Sequence, residues 1–323
     1  MRIALVHPSL AGAHGGNQTT ALRWERLLRE LGHEVVRGGR WDGGEADLLV
    51  ALHAKKSAAA VRGFRARWPR RPVVVGMAGT DLQDLANDAE AAEAVAGATR
   101  LVVLQPQAAE LLPAAARGKV RVIHQSAEPP PAEPPTDPPA PAPGRFEVAL
   151  LAHLREVKDP ATVWRATRRL RPASRVVVRH AGAPLDPGLA AEAAAEAECN
   201  PRYRWLGPLP PAEAGRLLAS SRLLVLPSAA EGGANVVSEA IAAGVPILAS
   251  RIPGTVGLLG EDYPGLFEVG DDAGLARRLD RAEADGAYLA ELTRAVRTLG
   301  PLVDPARERD AWRALLAELA EEI

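Results

Sequence analysis

Residues 2–7 (RIALVH) form a short apolar run of strand length, and residues 10–17 (LAGAHGGN) follow as a glycine-rich loop. Ala21, Leu22, Leu27, Leu28 and Leu31 then recur at helical spacing over 19–31, and Gly32 ends the pattern. The same reading predicts strands over 34–37 and 46–52, a helix over 58–68, a strand over 72–77, a helix over 86–96, a strand over 100–104, a short helix, and a strand over 119–124. Strands alternating with helices predict a parallel, doubly wound sheet.

Residues 128–144 (EPPPAEPPTDPPAPAPG) break this pattern with nine prolines in 17 positions, too many for a helix or a central strand. The segment predicts a semi-rigid, extended linker. A second alternating series follows: strand 146–152, helix 160–170, strand 174–181, helix 189–199, strand 203–206, helix 211–220, strand 223–227, helix 235–243 and strand 246–250. Over 305–322, Trp312, Leu315, Leu316 and Leu319 share one side of an amphipathic helix. The expected fold class is α/β, with two Rossmann-like doubly wound domains. The expected divisions are 1–127, a linker over 128–144, and 145–304, with the helix over 305–323 crossing back to the first domain. Ligands of such sheets bind beyond the carboxyl ends of the strands, which predicts a site in a cleft between the domains.

Composition narrows the classes of function. Apolar residues make up 47% and charged residues 24% of 323, enough for buried cores. The 39 basic and 40 acidic residues leave no basic field to attract nucleic acid or an anionic membrane. One cysteine, Cys199, excludes an internal disulfide and a cysteine-based zinc site and fits a reducing cytosol. The first residues lack the apolar segment of a signal peptide, and no run of 18 apolar residues occurs, so a cytoplasmic location is expected. Only four of the basic residues are lysines: Lys55, Lys56, Lys119 and Lys158.

The segment 226–243 (LPSAAEGGANVVSEAIAA) carries the most chemistry. A strand leads into Glu231, Gly232 and Gly233, and Asn235 reads as the N-cap of the next helix. Glycines allow backbone N–H groups to approach a ligand, and the helix N-terminus favours a phosphate. Glu239, eight residues after Glu231, suits a sugar or ribose hydroxyl pair because a carboxylate accepts two hydrogen bonds in one plane. His53, Lys55 and Lys56 follow the strand 46–52, and Gly79, Thr80 and Asp81 follow the strand 72–77.

The Glu231-x7-Glu239 pattern, within PSAAEGGANVVSEAIAAGVPILAS, resembles the nucleotide-sugar motif of family 4 glycosyltransferases of GT-B fold. That resemblance implies that Glu239 holds the ribose, Glu231 touches the donor sugar, and Ser228, Gly232, Gly233, Ala234 and Asn235 line the nucleotide-sugar site. HLREVKD, residues 153–159, resembles the family's Gly-Arg-x5-Lys-Gly segment, implying that Lys158, with Arg155, stabilises the leaving diphosphate. His153 stands where the family usually has Arg, and Asp159 where it usually has Gly. The loop containing Gly15 and Gly16 resembles the family's N-terminal glycine loop, which approaches the donor phosphates.

A narrower resemblance joins segments of both halves: ALHAKKS, AGTDL, RLVVLQP, RVIHQSAEPP, HLREVKDP, NPRYRWLG, EGGANVVSEAI and ASRIPGTVGLLGEDYPG. Together they are similar to the selenosugar synthases of selenoneine biosynthesis, in which selenophosphate attacks C1 of a UDP-sugar. This implies a UDP-glucose or UDP-N-acetylglucosamine type donor, and a functional link to a selenophosphate synthetase and a downstream selenoneine-forming enzyme. Asn17, His53, Lys55, Lys56, Thr80 and Asp81 are the candidates for holding the acceptor. No Asp-x-Asp triplet or Cys/His cluster occurs, so no obligatory metal or other cofactor is expected. A hydroxyl or thiol acceptor, epimerisation of a UDP-sugar, and a nucleotide-sugar-binding module without catalysis remain as alternatives.

Overall fold

The computed structural model describes residues 1–8, 15–77, 80–82, 85, 87–129 and 144–321. Of the expected features, Gly12 to His14, Gly79, the side chain of Thr80 and most of the proline-rich segment lie outside the described residues. The chain divides into two compact units. Unit 1 comprises Met1–Ser126, Glu231–Asn235 and Leu302–Ile323; unit 2 comprises Ala127–Ala230 and Val236–Pro301.

Unit 1 runs β1 (Arg2–Val6), α1 (Gly16–Glu30), β2 (Glu34–Gly38), β3 (Leu48–Leu52), α2 (Ala54–Arg67), β4 (Val73–Met77), α3 (Ala89–Gly97), β5 (Arg100–Val103), α4 (Ala114–Arg117) and β6 (Val120–Val122). Its sheet has six strands, all paired in parallel, in the order β2-β1-β3-β4-β5-β6. Successive strand residues point to opposite faces, and helices bury both. Ile3 and Leu5 join Leu48, Val50 and Leu52 beneath α1, while Ala4 and Val6 join Leu49 and Ala51 beneath α2 and α3.

Unit 2 runs β7 (Phe146–Leu151), α5 (Pro160–Arg168), β8 (Val176–Ala181), α6 (Pro187–Cys199), β9 (Tyr203–Trp205), α7 (Pro211–Ser220), β10 (Leu223–Leu226), α8 (Asn235–Ala243), β11 (Ile247–Ser250), α9 (Pro253–Leu259), β12 (Leu266–Phe267), α10 (Asp272–Ala284) and α11 (Gly286–Thr298). Its sheet is also six-stranded, in the order β12-β11-β10-β7-β8-β9, with every pairing parallel. The last helix, α12 (Pro305–Glu321), packs in unit 1. Its Trp312 meets Trp24 of α1 edge to face, with ring centroids 4.9 Å apart, and both indoles are fully buried. Such a pair adds about 0.5–1.5 kcal/mol beyond its area burial. Gly76 of β4 lies against Trp24; a Cβ there would sit 2.6 Å from the indole.

Several boundaries differ from the sequence expectation. α1 starts at Gly16 rather than at 19, so Gly16 and Asn17 belong to its first turn. Leu22, expected on the buried stripe, is 45% exposed because it lies off the face formed by Thr20, Ala21, Trp24, Leu27 and Leu28. α2 starts at Ala54 rather than at 58, because the Asp81 carboxylate accepts from the Ala54 N–H and the Ser57 hydroxyl donates to the Leu52 carbonyl. The elements α9, β12, α10 and α11 were not expected. α10 and α11 abut at Asp285, whose carboxylate accepts from Ala287 N and Tyr288 N and starts a second helix without a loop. No helix among the described residues is long and apolar enough to cross a membrane.

Candidate functional site

In doubly wound sheets, ligands sit beyond the carboxyl ends of the strands where strand order reverses. That reversal lies between β1 and β3 in unit 1 and between β7 and β10 in unit 2. The candidate residues follow these four strands, with Thr80 and Asp81 following the adjacent β4.

In unit 2, Leu154 N–H donates to the Ala183 carbonyl, carrying the chain from β7 past the end of β8. The His153 Nδ1 accepts from the Ala183 N–H at 3.1 Å, so that nitrogen carries no proton. His153 is therefore braced on the backbone through Nδ1. Arg155 is exposed and precedes a 3-10 turn, Glu156–Lys158, in which Lys158 is half-buried. The Ala229 N–H donates to the Val157 carbonyl at 2.9 Å, tying this turn to the segment that follows β10. Asp159 has φ 40°, a left-handed conformation, which gives a physical reason for glycine at this place in the family. Asp tolerates it, and its carboxylate caps α5 by accepting from Thr162 N (3.3 Å) and Thr162 Oγ1 (2.5 Å). Ser228 is fully buried, and its carbonyl accepts from the Ser250 hydroxyl. Glu239 is half-buried, one turn beyond the start of α8.

In unit 1, His53 joins β3 to α2 with φ 72° and is 5% exposed. A non-glycine residue in this region stores strain, which clusters at functional sites. Its Nδ1 lies 3.7 Å from Asp81 Oδ2. Burial holds the imidazole below its ordinary pKa; the Asp81 carboxylate opposes this shift, and the Lys56 and Lys55 charges add to it. Lys55 and Lys56 stand, exposed, in the first turn of α2, ahead of the helix start expected at 58. That turn contains no acidic residue of its own, and its neighbouring carboxylates are Asp81, which accepts from Ala54 N–H, and Asp88. Lys55 Nζ reaches Asp88 Oδ2, the N-cap of α3, at 2.7 Å.

The segment Glu231–Asn235, expected in the second domain, packs as part of unit 1. Asn235 is the first residue of α8, and its side chain engages α1 instead of acting as the expected N-cap. Its Nδ2 donates to the Gly16 carbonyl (3.2 Å) and Thr20 Oγ1 (3.3 Å), and its Oδ1 accepts from Arg23 Nη1 (2.9 Å). The Gly233 carbonyl accepts from Gln125 Nε2 at 2.6 Å. A Cβ on Gly233 would meet Leu104 Cβ at 2.6 Å, so packing demands this glycine. Gly232 and Ala234 flank it, buried, and Gly15 precedes α1 as its N-cap. Sequence reading missed Arg23, Gln125 and Glu308; they come from three remote stretches of chain, and no local spacing marks them. Among the described residues, no group of three His, Cys, Asp or Glu side chains is placed to hold a metal ion.

Comparisons with known proteins agree with this architecture. The chain is 30% identical over 161 residues to D-inositol 3-phosphate glycosyltransferase of Nocardia farcinica, a stretch that is 47% of this chain and 35% of that protein. The matched stretch thus spans about a third of the length of this curated relative. Anabaena HepE, solved in complex with UDP and glucose, superposes with a TM-score of 0.75 at 16% identity, covering 98% of this chain and 100% of that one. Sucrose-phosphate synthase from Thermosynechococcus elongatus gives a TM-score of 0.77 at 16% identity, with both chains wholly covered. The two doubly wound sheets are thus those of the GT-B fold. The family described as glycosyl transferases group 1 matches residues 137–298, just over half of the chain. The chain belongs to the glycosyl transferases group 1 family.

Proposed function

We propose that this protein transfers a glycosyl group from a UDP-sugar to selenophosphate. The observation that carries the transferase reading is the turn bearing Lys158, at the strand-order reversal of unit 2 and tied through Val157 to the segment after β10. As the C1–O bond breaks, UDP departs with the electron pair and negative charge grows on its diphosphate. Lys158 and Arg155 supply cations for that charge, the kind of preorganised electrostatic term that dominates such catalysis. Glu239 takes the ribose hydroxyls, and Glu231 takes the donor sugar.

Selenophosphate as acceptor is supported by the resemblance of segments in both halves to selenosugar synthases and by the two lysines opening α2. These lysines put two exposed positive charges at the start of α2, and such charges attract an anionic ligand. Selenium supplies the electron pair that forms the C1–Se bond, so the nucleophile needs orientation rather than deprotonation. Water then cleaves the Se–P bond, releasing phosphate and the 1-selenosugar. Asn17, Thr80 and Asp81 complete the acceptor side in this reading.

A second reading rests on His53. A buried imidazole, neutral at pH 7 and close to a carboxylate, suits a general base for a hydroxyl acceptor. Incubating UDP-sugar with and without selenophosphate separates the readings. UDP release together with a selenosugar mass, dependent on selenophosphate, is expected. Release with a hydroxyl or thiol acceptor alone overturns the selenium assignment, isomerisation without acceptor indicates an epimerase, and binding without turnover overturns the transferase reading. Turnover is expected to persist in excess EDTA; loss restored by Mg²⁺ overturns metal independence.

A further inference from the structure

Within unit 1, Glu308 of α12 is 2% exposed and accepts at both oxygens. Oε2 takes Ser126 N (2.7 Å) and Ser126 Oγ (2.5 Å), and Oε1 takes Trp24 Nε1 (3.0 Å). Arg23 Nε pairs with the same carboxylate at 3.0 Å. Its terminal nitrogens Nη1 and Nη2 donate to the Asn235 Oδ1 and to the Gln125 Oε1, respectively. Thr20 Oγ1 also donates to that Gln125 oxygen, at 2.8 Å. With its oxygen fixed by two donors, the amide has one orientation, and its Nε2 points at the Gly233 carbonyl at 2.6 Å. Gln125 is 2% exposed.

The chain of contacts therefore runs from a buried carboxylate, through one arginine, to the side chain of Asn235 and the backbone of Gly233. Both ends lie in the five residues that bear the candidate donor-binding loop. A peptide whose carbonyl is tied to Gln125 has its plane set, and with it the direction of the N–H of the next residue, Ala234. We propose that Gln125, oriented by Arg23 and Glu308, is a positioning residue that fixes the peptide at Gly233 and preorganises the Glu231–Asn235 loop for the diphosphate of the donor. This rests on the UDP-sugar reading for its ligand, but the ordering of the loop stands apart from it. A preorganised loop binds without the cost of ordering at the moment of binding, so loosening it weakens donor affinity.

Gln125→Glu is the informative variant. It keeps an oxygen for Arg23 and Thr20 and loses the donor to Gly233. In the full-length protein without ligand, hydrogen–deuterium exchange over residues 231–235 is expected to accelerate at least tenfold in Gln125→Glu, with α1 and α12 unchanged. Unchanged exchange over 231–235 overturns the proposal, whatever the enzyme turns over. With UDP as the probe, calorimetry is expected to show Kd raised at least fivefold. In turnover, the KM for UDP-sugar is expected to rise with kcat within threefold; a fall in kcat at constant KM also overturns the proposal. Glu308→Gln is expected to give the same local acceleration; if it instead unfolds unit 1, Gln125→Glu still decides. If wild-type protein binds no UDP, the functional reading falls while the exchange result still tests the positioning.

Discussion

The two units use one architecture and hold their candidate charges in opposite ways. Each is a six-stranded parallel sheet with one reversal of strand order, between β1 and β3 or between β7 and β10. In unit 2, the cation follows the strand on a backbone-bonded turn. Lys158 N donates to the Arg155 carbonyl, Val157 O accepts from Ala229, and Asp159 caps the helix that follows. In unit 1, the cations open a helix, and one is tied to Asp88 by a surface ion pair. Backbone hydrogen bonds fix direction, whereas exposed ion pairs fix little and are worth about 0–1 kcal/mol. In the proposed reading, this difference suits unit 2 to stabilising charge that develops at one point and unit 1 to attracting an anion from solution.

The sharpest test is the difference between lysines. Lys158→Ala is expected to lower kcat for UDP release by about 10²–10³, as for removal of a preorganised charge donor. Lys158→Arg retains part of the rate because the charge remains. If Lys56→Ala lowers kcat as far as Lys158→Ala, the division of roles between the units is wrong.

The second test concerns stability. His180 of β8 is fully buried: Tyr203 OH donates to its Nδ1 at 2.6 Å, and its Nε2–H donates to the Ala152 carbonyl at 2.8 Å. Burial lowers its pKa from 6.5 to about 4. Between those values the unfolded chain holds a proton that the folded chain does not. Stability from this group is therefore complete above pH 6.5 and falls as the pH drops toward 4. At pH 5 the loss is about 2 kcal/mol, or roughly 4–8 °C in Tm for a unit of this size. His180→Gln is expected to flatten that dependence between pH 7 and 5 in unit 2. The same slope in the variant assigns the acid sensitivity to unit 1, whose His7, His53 and His124 are also lowered by burial.

On the acceptor side the effect is smaller. Lys56→Ala and Lys55→Ala are each expected to raise the selenophosphate KM about five- to tenfold, roughly 1 kcal/mol, with the UDP-sugar KM unchanged. If neither moves it, the acceptor assignment in unit 1 fails. Lys56→Ala is expected to have the greater effect, because Lys55 already pairs with Asp88.

Much of this arrangement is legible in the sequence because strands announce themselves as short apolar runs, and the chemistry sits just after them. His53 and Glu231 stand out as candidates in that way, and His153 and Lys158 through the resemblance of HLREVKD to a family segment. What was not legible depends on contacts between remote residues. The early start of α2 needs Asp81, 27 residues downstream of Ala54, and the commitment of Asn235 to Gly16, Thr20 and Arg23 needs a separation of more than 200 residues. Gly233 reads as ligand-driven in sequence, yet its missing Cβ is demanded by Leu104. α10 and α11 escaped because Asp285 ends one helix and caps the next.

Asp159 gives the finest test of how the cation turn of unit 2 is held. Its left-handed backbone favours glycine, while its carboxylate caps α5 through Thr162. Asp159→Gly removes the strain and the cap together. Glycine costs only a few tenths of a kcal/mol at an N-cap, so the two changes nearly cancel and Tm is expected to stay within about 2 °C. Asp159→Ala loses the cap and keeps a Cβ in the left-handed region, so it is expected to cost about 1–2 kcal/mol. The turn itself is held by the Arg155 and Val157 carbonyls, which neither substitution touches. UDP release by Asp159→Gly is therefore expected to stay within twofold of the wild type. A tenfold loss with unchanged Tm would mean that the carboxylate, rather than the backbone, sets the position of Lys158. The cation of unit 2 would then be held by a side chain, as Lys55 is in unit 1, and the contrast between the two units would disappear.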